Sequence, residues 1–141
     1  MISSGSRIYL DTAPIIYSVE KHPEYWHLLQ DLWVAAEHLE IEIITSELTL
    51  LESLVLPTRE KNKAMIKDYE DLLIGSDLQL VPVSISILRE AINLRADLNL
   101  KTPDSIHAAT AALAGCDHLI SNDNGLRRLT QLNVTILSDQ I

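Results

Sequence analysis

The sequence has one cysteine, no phenylalanine, four glycines and five prolines among its 141 residues. The single cysteine, Cys116, cannot form an internal disulfide and has no zinc-site spacing around it, which indicates a reducing compartment and predicts a cytoplasmic protein. So little glycine and proline argues against long loops and disorder. Because phenylalanine is absent, the core is expected to consist mainly of leucine, isoleucine, valine and alanine. The length predicts one domain spanning residues 1–141.

Basic residues and long apolar runs are also scarce. There are 11 Lys and Arg against 20 Asp and Glu, which gives a formal net charge of -9 and a pI near 4.8. This balance argues against a simple nucleic-acid-coating protein, which usually has a basic face. It is compatible with an enzyme that gathers carboxylates around metal ions, or with a basic partner. No segment reaches the roughly 18 apolar residues of a membrane span, and the start "MISSGSR" does not resemble a signal peptide.

What the sequence does contain is an alternation of short β-type runs with longer helical stretches. This order predicts an α/β fold with three layers, in which helices cover both faces of a mostly parallel sheet of about five strands. The predicted strands are 8–10, 41–45, 78–83, 118–121 and 134–137. The predicted helices are 12–19, 23–39, 47–56, 60–74, 85–97 and a helix from 103 that ends at Gly115, followed by a short helix at 125–132.

Residues with known end preferences set the predicted helix boundaries. Ser46 and Ser84 are predicted N-caps, since a serine hydroxyl can accept a hydrogen bond from a free N–H of the first turn. Pro57 is predicted to end the third helix. Thr102 is predicted to cap the helix that follows it, with Pro103 at the first helical position.

Four acidic residues follow strands or open helices at equivalent places along the chain. Asp11 and Asp123 come just after the first and fourth strands, Glu52 lies in the helix after the second, and Asp104 lies in a first helical turn. The carboxyl ends of parallel strands share one edge of the sheet, where ligands bind. Carboxylates crowded there repel one another, and a hard cation such as Mg²⁺ or Mn²⁺ would offset the repulsion.

Each acid also has a purely structural interpretation. Asp11 could be a helix N-cap, Asp104 could complement the helix dipole, and Asp123 could belong to an Asx-turn in "NDNG". Glu52 could face solvent, because the helical wheel places it at the margin of an apolar arc. Glu47, on the same helix, is a competing acid. Only their joint occurrence favours a metal site.

Other chemistries find less support. His107 lies three residues after Asp104 and can share its helix face, but a histidine among alanines is more often packed or hydrogen-bonded than a ligand of a hard cation. No phosphate-binding glycine loop and no nucleophile elbow is present. A phosphatase of the haloacid-dehalogenase type would need a second aspartate two residues after Asp11, where this chain has Ala13.

Several stretches together resemble a known family. "IYLDTAPIIY", "ITSELTLLESLVLP", "LKTPDSIHAATAALAGCDHLISNDNGLRRL" and "VTIL" resemble PIN-domain proteins, specifically the VapC-like toxin ribonucleases of bacterial toxin–antitoxin pairs. The resemblance covers nearly the whole chain and is most specific over residues 101–129. It implies a parallel sheet flanked by helices and a Mg²⁺- or Mn²⁺-dependent endoribonuclease that hydrolyses phosphodiester bonds in RNA.

The resemblance also implies which residues form the site. The catalytic acids would be Asp11, Glu52, Asp104 and Asp123, of which Asp11, Asp104 and Asp123 would bind the metal. The residues predicted to support these acids or to contact the substrate are Thr12, Ser121, Asn122, Arg127 and Arg128. Arg127 and Arg128, which lie close to Asp123 in the sequence, are our preferred pair for contacting RNA phosphates. The full set of candidate cations is Arg7, Arg59, Lys61, Lys63, Lys101, Arg127 and Arg128.

Partners are implied in the same way. The family pairs its toxins with an antitoxin whose basic C-terminal segment lies over the active site, and a chain of charge -9 suits such a partner. A homodimer is also typical of the family. The alternative is a catalytically silent PIN-like domain that binds RNA or assembles with other proteins.

Overall fold

A central parallel sheet organises the computed structural model, which describes residues 4–141. The strand order is β3-β2-β1-β4-β5, and every adjacent pair is parallel. The prediction of an α/β fold with about five strands is confirmed. The strands are β1 Arg7–Leu10, β2 Glu42–Ser46, β3 Gln79–Val81, β4 His118–Ser121 and β5 Asn133–Ile136.

Within residues 4–141, six α-helices and a short 3₁₀ helix connect these strands, and a second short 3₁₀ helix follows β5. No helix in this range is long and apolar enough to cross a membrane. The α-helices are α1 Thr12–Val19, α2 Trp26–Glu37, α3 Glu47–Arg59, α4 Lys63–Leu73, α5 Ile85–Leu98 and α6 Thr102–Leu113, and the 3₁₀ helices are Asn124–Arg128 and Leu137–Gln140.

The side chains of β1 divide the core into two halves. Tyr9 points to one face of the sheet, where it packs with residues of α5 and α6. Ile8 and Leu10 point to the other face and pack with residues of α1, α2 and α4. This alternation follows from the two-residue period of a β-strand, and it produces the three predicted layers.

The predicted caps at Ser46 and Ser84 are confirmed, but Pro57 does not end its helix. Ser46 Oγ accepts a hydrogen bond from Leu48 N at 3.0 Å, and Ser84 Oγ accepts one from Ile87 N at 3.2 Å. Helix α3 continues past Pro57 to Arg59. Proline has a helical φ and here removes only one hydrogen bond close to the helix end, so one more turn forms.

Three helix starts also differ from the prediction. Helix α2 begins at Trp26 rather than at residue 23. Helix α4 begins at Lys63 rather than at residue 60, because Lys61 adopts a left-handed conformation with φ 55° and Asn62 caps the helix. Helix α6 begins at Thr102 itself, after Lys101 as N-cap. The hydroxyl of Thr102 accepts a hydrogen bond from Arg95 at 2.7 Å and makes no capping bond.

Candidate active site

The sheet reverses its strand order at β1, and this is where the candidate site lies. The chain proceeds from β1 to β2 and β3 on one side and returns to β4 on the other side of β1. Crevices at such a switch point, beyond the carboxyl ends of the strands, are the usual ligand sites of open α/β sheets. Asp11 follows β1 directly, and its N–H donates to the carbonyl of Ile120 in β4 at 3.3 Å. Asp123 follows β4 after one intervening residue.

A pocket of about 510 Å³ opens at this crevice. It brings together the four acids that the sequence singled out, along with the predicted polar residues Thr12, Ser121 and Asn122 and the weaker candidate His107. Its lining consists of Asp11, Thr12, Ala13, Ile16, Tyr17, Glu52, Pro103, Asp104, His107, Ser121, Asn122, Asp123 and Asn124.

Asp11 occupies the N-cap position of α1, but its side chain makes no capping hydrogen bond. The residue is only 5% exposed, and its Oδ1 atom is buried without a hydrogen-bond partner. Burial raises the pKa of Asp11 to about 6, with Asp104 and Asp123 adding repulsion and His107 and Ser121 opposing the shift. A buried acceptor without a donor is unfavourable, so the structure leaves this oxygen open to a positively charged ligand.

Asp104 and Asp123 form a close pair in the same pocket. Burial and the neighbouring Asp123 raise the pKa of Asp104, and a hydrogen bond between the two carboxyl groups contributes to the shift. Asp123 Oδ1 also accepts from Gly125 N at 2.8 Å, as in the Asx-turn interpretation. Asp123 therefore forms the Asx-turn and also lines the pocket, so the structural and the functional interpretations both apply to it.

Gly125 is a contributor that the sequence analysis did not single out. A Cβ atom at this position would lie 3.1 Å from Asp123 Oδ1 and 3.3 Å from Asp104 Oδ2. Such contacts are tighter than ordinary van der Waals distances, so glycine leaves the two carboxylates the space they occupy. The glycine that ends "NDNG" was the available signal, because glycine in a tight turn often marks a close approach.

Glu52 is held differently from the three aspartates. Its Oε1 atom accepts hydrogen bonds from Thr12 Oγ1 at 2.6 Å and from His107 Nε2 at 2.9 Å. The bond from His107 is the largest cause that lowers the pKa of Glu52. Glu52 therefore stays ionised, whereas burial and repulsion favour the protonated forms of Asp11 and Asp104.

Ser121 and Asn122 fix the loop that carries Asp123. The buried hydroxyl of Ser121 accepts from Asp123 N at 2.9 Å. Asn122 donates to the hydroxyl of Tyr17 at 3.1 Å and accepts from Ser138 N at 3.0 Å. Both residues thus position the loop by hydrogen bonds within the chain.

Arg127 and Arg128 are not among the residues that line the pocket. Arg127 pairs with Asp139 through two hydrogen bonds of 2.7 and 2.8 Å. Arg128 donates to the carbonyl of Asn99 at 2.9 Å, at the carboxyl end of α5, where free carbonyls attract cations. Lys101 does not line the pocket either, but its charge acts on Asp104 and lowers the pKa of that carboxyl group.

The donor set of the pocket fits a hard divalent cation. Within residues 4–141, no group of three or more acidic, histidine or cysteine side chains is arranged so that it could hold a metal ion as it stands. However, the acids present only oxygen donors, which Mg²⁺ and Mn²⁺ prefer. The unpartnered oxygen of Asp11 and the mutual repulsion of the aspartates are what a cation would relieve.

The fold and the pocket define the class of protein, a parallel α/β domain with carboxylates gathered at its switch point. A family model described as PIN domain matches residues 8–132, and the chain belongs to this family. No curated protein matches the chain significantly.

Solved structures with the same fold include proteins of toxin–antitoxin systems. VapBC2 from Rickettsia felis, bound to a DNA fragment from its promoter, matches with 20% identity and a TM-score of 0.72 over 92% of this chain and 97% of that one. DNA-bound VapBC from Salmonella typhimurium matches with 17% identity and a TM-score of 0.66 over 92% and 97%. VapC20 from Mycobacterium tuberculosis, a toxin that cleaves the sarcin–ricin loop, matches with 14% identity and a TM-score of 0.65 over 79% and 86%.

Proposed function

We propose that this protein is a Mg²⁺- or Mn²⁺-dependent endoribonuclease and the toxin of a toxin–antitoxin pair. The observation that carries the proposal is the convergence of four acids in one switch-point pocket, with an oxygen of Asp11 buried and unpartnered. Membership of the PIN domain family and the fold shared with VapC proteins support it. The proposal takes residues 1–141 as a single PIN domain.

Each acid has a proposed role. Asp11, Asp104 and Asp123 would hold the metal, and Glu52 would assist as the fourth catalytic acid. When bound, the metal would lower the pKa of a water molecule and stabilise charge on the leaving oxygen. Because water would attack the phosphorus directly, the chain needs no nucleophilic side chain of its own. Breakage of the bond to the 3′ oxygen, which the family resemblance implies, would leave a 5′-phosphate and a 3′-hydroxyl.

Other side chains would support the acids and the substrate. Thr12, Ser121 and Asn122 hold the acids or their loop in place through the hydrogen bonds described above. Lys101, the N-cap of α6, is the cation that we propose to meet an RNA phosphate, because its charge already acts on Asp104. Arg127 and Arg128 would contact RNA only after leaving their present partners.

The proposed protein partner is an antitoxin with a basic C-terminal segment. The pocket is acidic and the chain carries a net charge of -9, so a basic segment is complementary to both. Structural neighbours come from complexes that contain toxin and antitoxin. A homodimer in the cytoplasm completes the proposed arrangement.

Thermal stability in Mn²⁺ tests for the metal site directly. A ligand that binds only the folded state stabilises it by about 2.7 kcal/mol at a hundredfold excess over Kd, which raises the Tm of a domain of this size by roughly 5–10 °C. We expect a rise of this order at millimolar Mn²⁺, reversed by EDTA, together with Mn²⁺-dependent cleavage of RNA. An unchanged Tm and intact RNA would favour the catalytically silent module.

Gly125→Ala is expected to weaken this response to Mn²⁺ severalfold, because the added methyl group would displace the carboxylates of Asp104 and Asp123. The measurement is the Mn²⁺ concentration at half-maximal rise in Tm. Gly75→Ala is the matched control, since a Cβ there would lie 3.0 Å from the carbonyl oxygen of Asp71, outside the pocket. The control should change Tm without altering the response to Mn²⁺, and equal effects of the two variants would contradict the prediction.

A further inference from the structure

A chain of hydrogen bonds runs from the buried core to the wall of the pocket. The hydroxyl of Tyr9 lies 2.6 Å from Nδ1 of His107, and Nε2 of His107 lies 2.9 Å from Oε1 of Glu52. Thr12 Oγ1 joins the same group, 2.6 Å from Glu52 Oε1 and 3.2 Å from His107 Nε2. We call these four residues the Tyr9–Glu52 chain. They come from β1, α1, α3 and α6, so the chain connects four elements around one acid.

The positions of the hydrogens follow from the geometry. Glu52 Oε1 is an acceptor, so Nε2 of His107 must carry a hydrogen, because its lone pair would otherwise face a carboxylate at 2.9 Å. In the neutral ring Nδ1 is then an acceptor, and the Tyr9 hydroxyl is the donor that faces it. Tyr9 is fully buried and keeps its proton, since burial raises its pKa well above the usual value.

The two carboxylate oxygens of Glu52 differ in their hydrogen bonds. Oε1 receives two donors, from Thr12 and His107, whereas the hydrogen bonds of residues 4–141 supply none to Oε2. A glutamate side chain has several rotatable bonds, and anchoring one oxygen removes most of that freedom. Glu52 lines the pocket and is therefore held there by Oε1, while Oε2 keeps its acceptor capacity.

We propose that His107 is a positioning residue, which Tyr9 orients so that it holds Glu52 by one oxygen and leaves the other for the reaction. This inference rests on the proposed ribonuclease function. It assigns His107 no contact with substrate or metal and gives Tyr9, a core residue, a purpose beyond packing. Partners that orient site residues in this way commonly change activity by 10- to 100-fold when they are removed.

The hydrogen positions can be tested without any activity measurement. Long-range ¹⁵N–¹H NMR spectra of the metal-free protein report which ring nitrogen of His107 is protonated. With the pH raised until the ring is neutral, we expect the hydrogen on Nε2 and none on Nδ1, and we expect the Nδ1 signal to shift in Tyr9→Phe. A neutral ring with its hydrogen on Nδ1 would overturn the proposal.

Activity separates positioning from a structural role. His107→Leu removes the donor to Glu52, whereas His107→Gln keeps an N–H that can reach it. We expect the leucine variant to lower kcat on RNA by about 10- to 100-fold with little change in KM, and the glutamine variant to recover most of the loss. Equal kcat values for the two variants, or an unchanged kcat in His107→Leu, would overturn the proposal.

Two tyrosine variants provide a matched pair that does not depend on the folding of His107→Leu. Tyr9 and Tyr69 are both fully buried, and each phenol has one ionisable partner, His107 for Tyr9 and Glu20 for Tyr69. Tyr9→Phe and Tyr69→Phe should both lower Tm, but only Tyr9→Phe should lower kcat. Equal kcat values for these two variants would overturn the proposal. If the wild type lacks metal-dependent cleavage, the proposed function is wrong. The NMR experiment then tests by itself whether the hydrogen bonds of the Tyr9–Glu52 chain are as described.

Discussion

Asp11→Asn is expected to lower metal-dependent RNA cleavage by about 10³-fold or more, while the domain stays folded. Asp11 lies at the end of β1, and its buried Oδ1 is the acceptor that the rest of the chain leaves unpartnered. The amide keeps the shape of the carboxylate but removes the charge that would hold the metal. The measurement is the rate of cleavage of labelled RNA in Mn²⁺, with circular dichroism to confirm folding.

Asp97→Asn is the matched control for this prediction. Asp97 is exposed on α5, outside the pocket, so its replacement makes the same chemical change without touching the site. We expect wild-type cleavage from this variant. Full activity in Asp11→Asn would show that the nuclease assignment, or the role of Asp11 in it, is wrong.

The same Asp11→Asn substitution is expected to stabilise the metal-free protein at pH 8 by about 1–3 kcal/mol. The pKa of Asp11 is raised from 3.8 to about 6 in the folded state, chiefly by burial. Between pH 4 and 6 the folded protein therefore binds more protons than the unfolded chain. Stability from this group is complete below pH 4 and is lost as the pH rises through 6. Asparagine does not ionise and avoids the loss.

Urea unfolding in EDTA at pH 4 and pH 8 measures this effect. The difference in unfolding free energy between Asp11→Asn and the wild type should be small at pH 4 and large at pH 8. Saturating Mn²⁺ at pH 8 should reduce the difference or reverse its sign, because it stabilises the wild type preferentially. A less stable Asp11→Asn in EDTA at pH 8 would show that the carboxylate has a favourable partner in the fold.

The sequence predicted the convergence of the acids because their placement depends on topology. Once Asp11 and Asp123 are assigned to the ends of parallel strands, the shared edge of the sheet brings them together. The N-cap interpretation of Asp11 was open at that level, since the same residue type serves both purposes. In the folded structure its side chain makes no capping hydrogen bond, and Oδ1 has no donor.

The features that the sequence did not predict depend on where individual side chains and turns fall. Arg127 precedes the C-terminal 3₁₀ helix by ten residues, and its pairing with Asp139 there could not be derived from spacing. The close approach of Gly125 to two carboxylates depends on the local turn. His107 contacts residues 98, 95 and 55 positions away, so its interpretation as a hydrogen-bonded histidine could be stated but its partners could not.

Mapping RNA 5′ ends in cells after brief induction tests the central claim most directly, by comparing the wild type with Asp11→Asn. The account predicts new 5′-phosphate ends at discrete positions in one or a few RNAs with the wild type, and their absence with Asp11→Asn. Identical sets of 5′ ends from the two proteins would contradict the assignment of this acidic pocket as the catalytic centre of a ribonuclease.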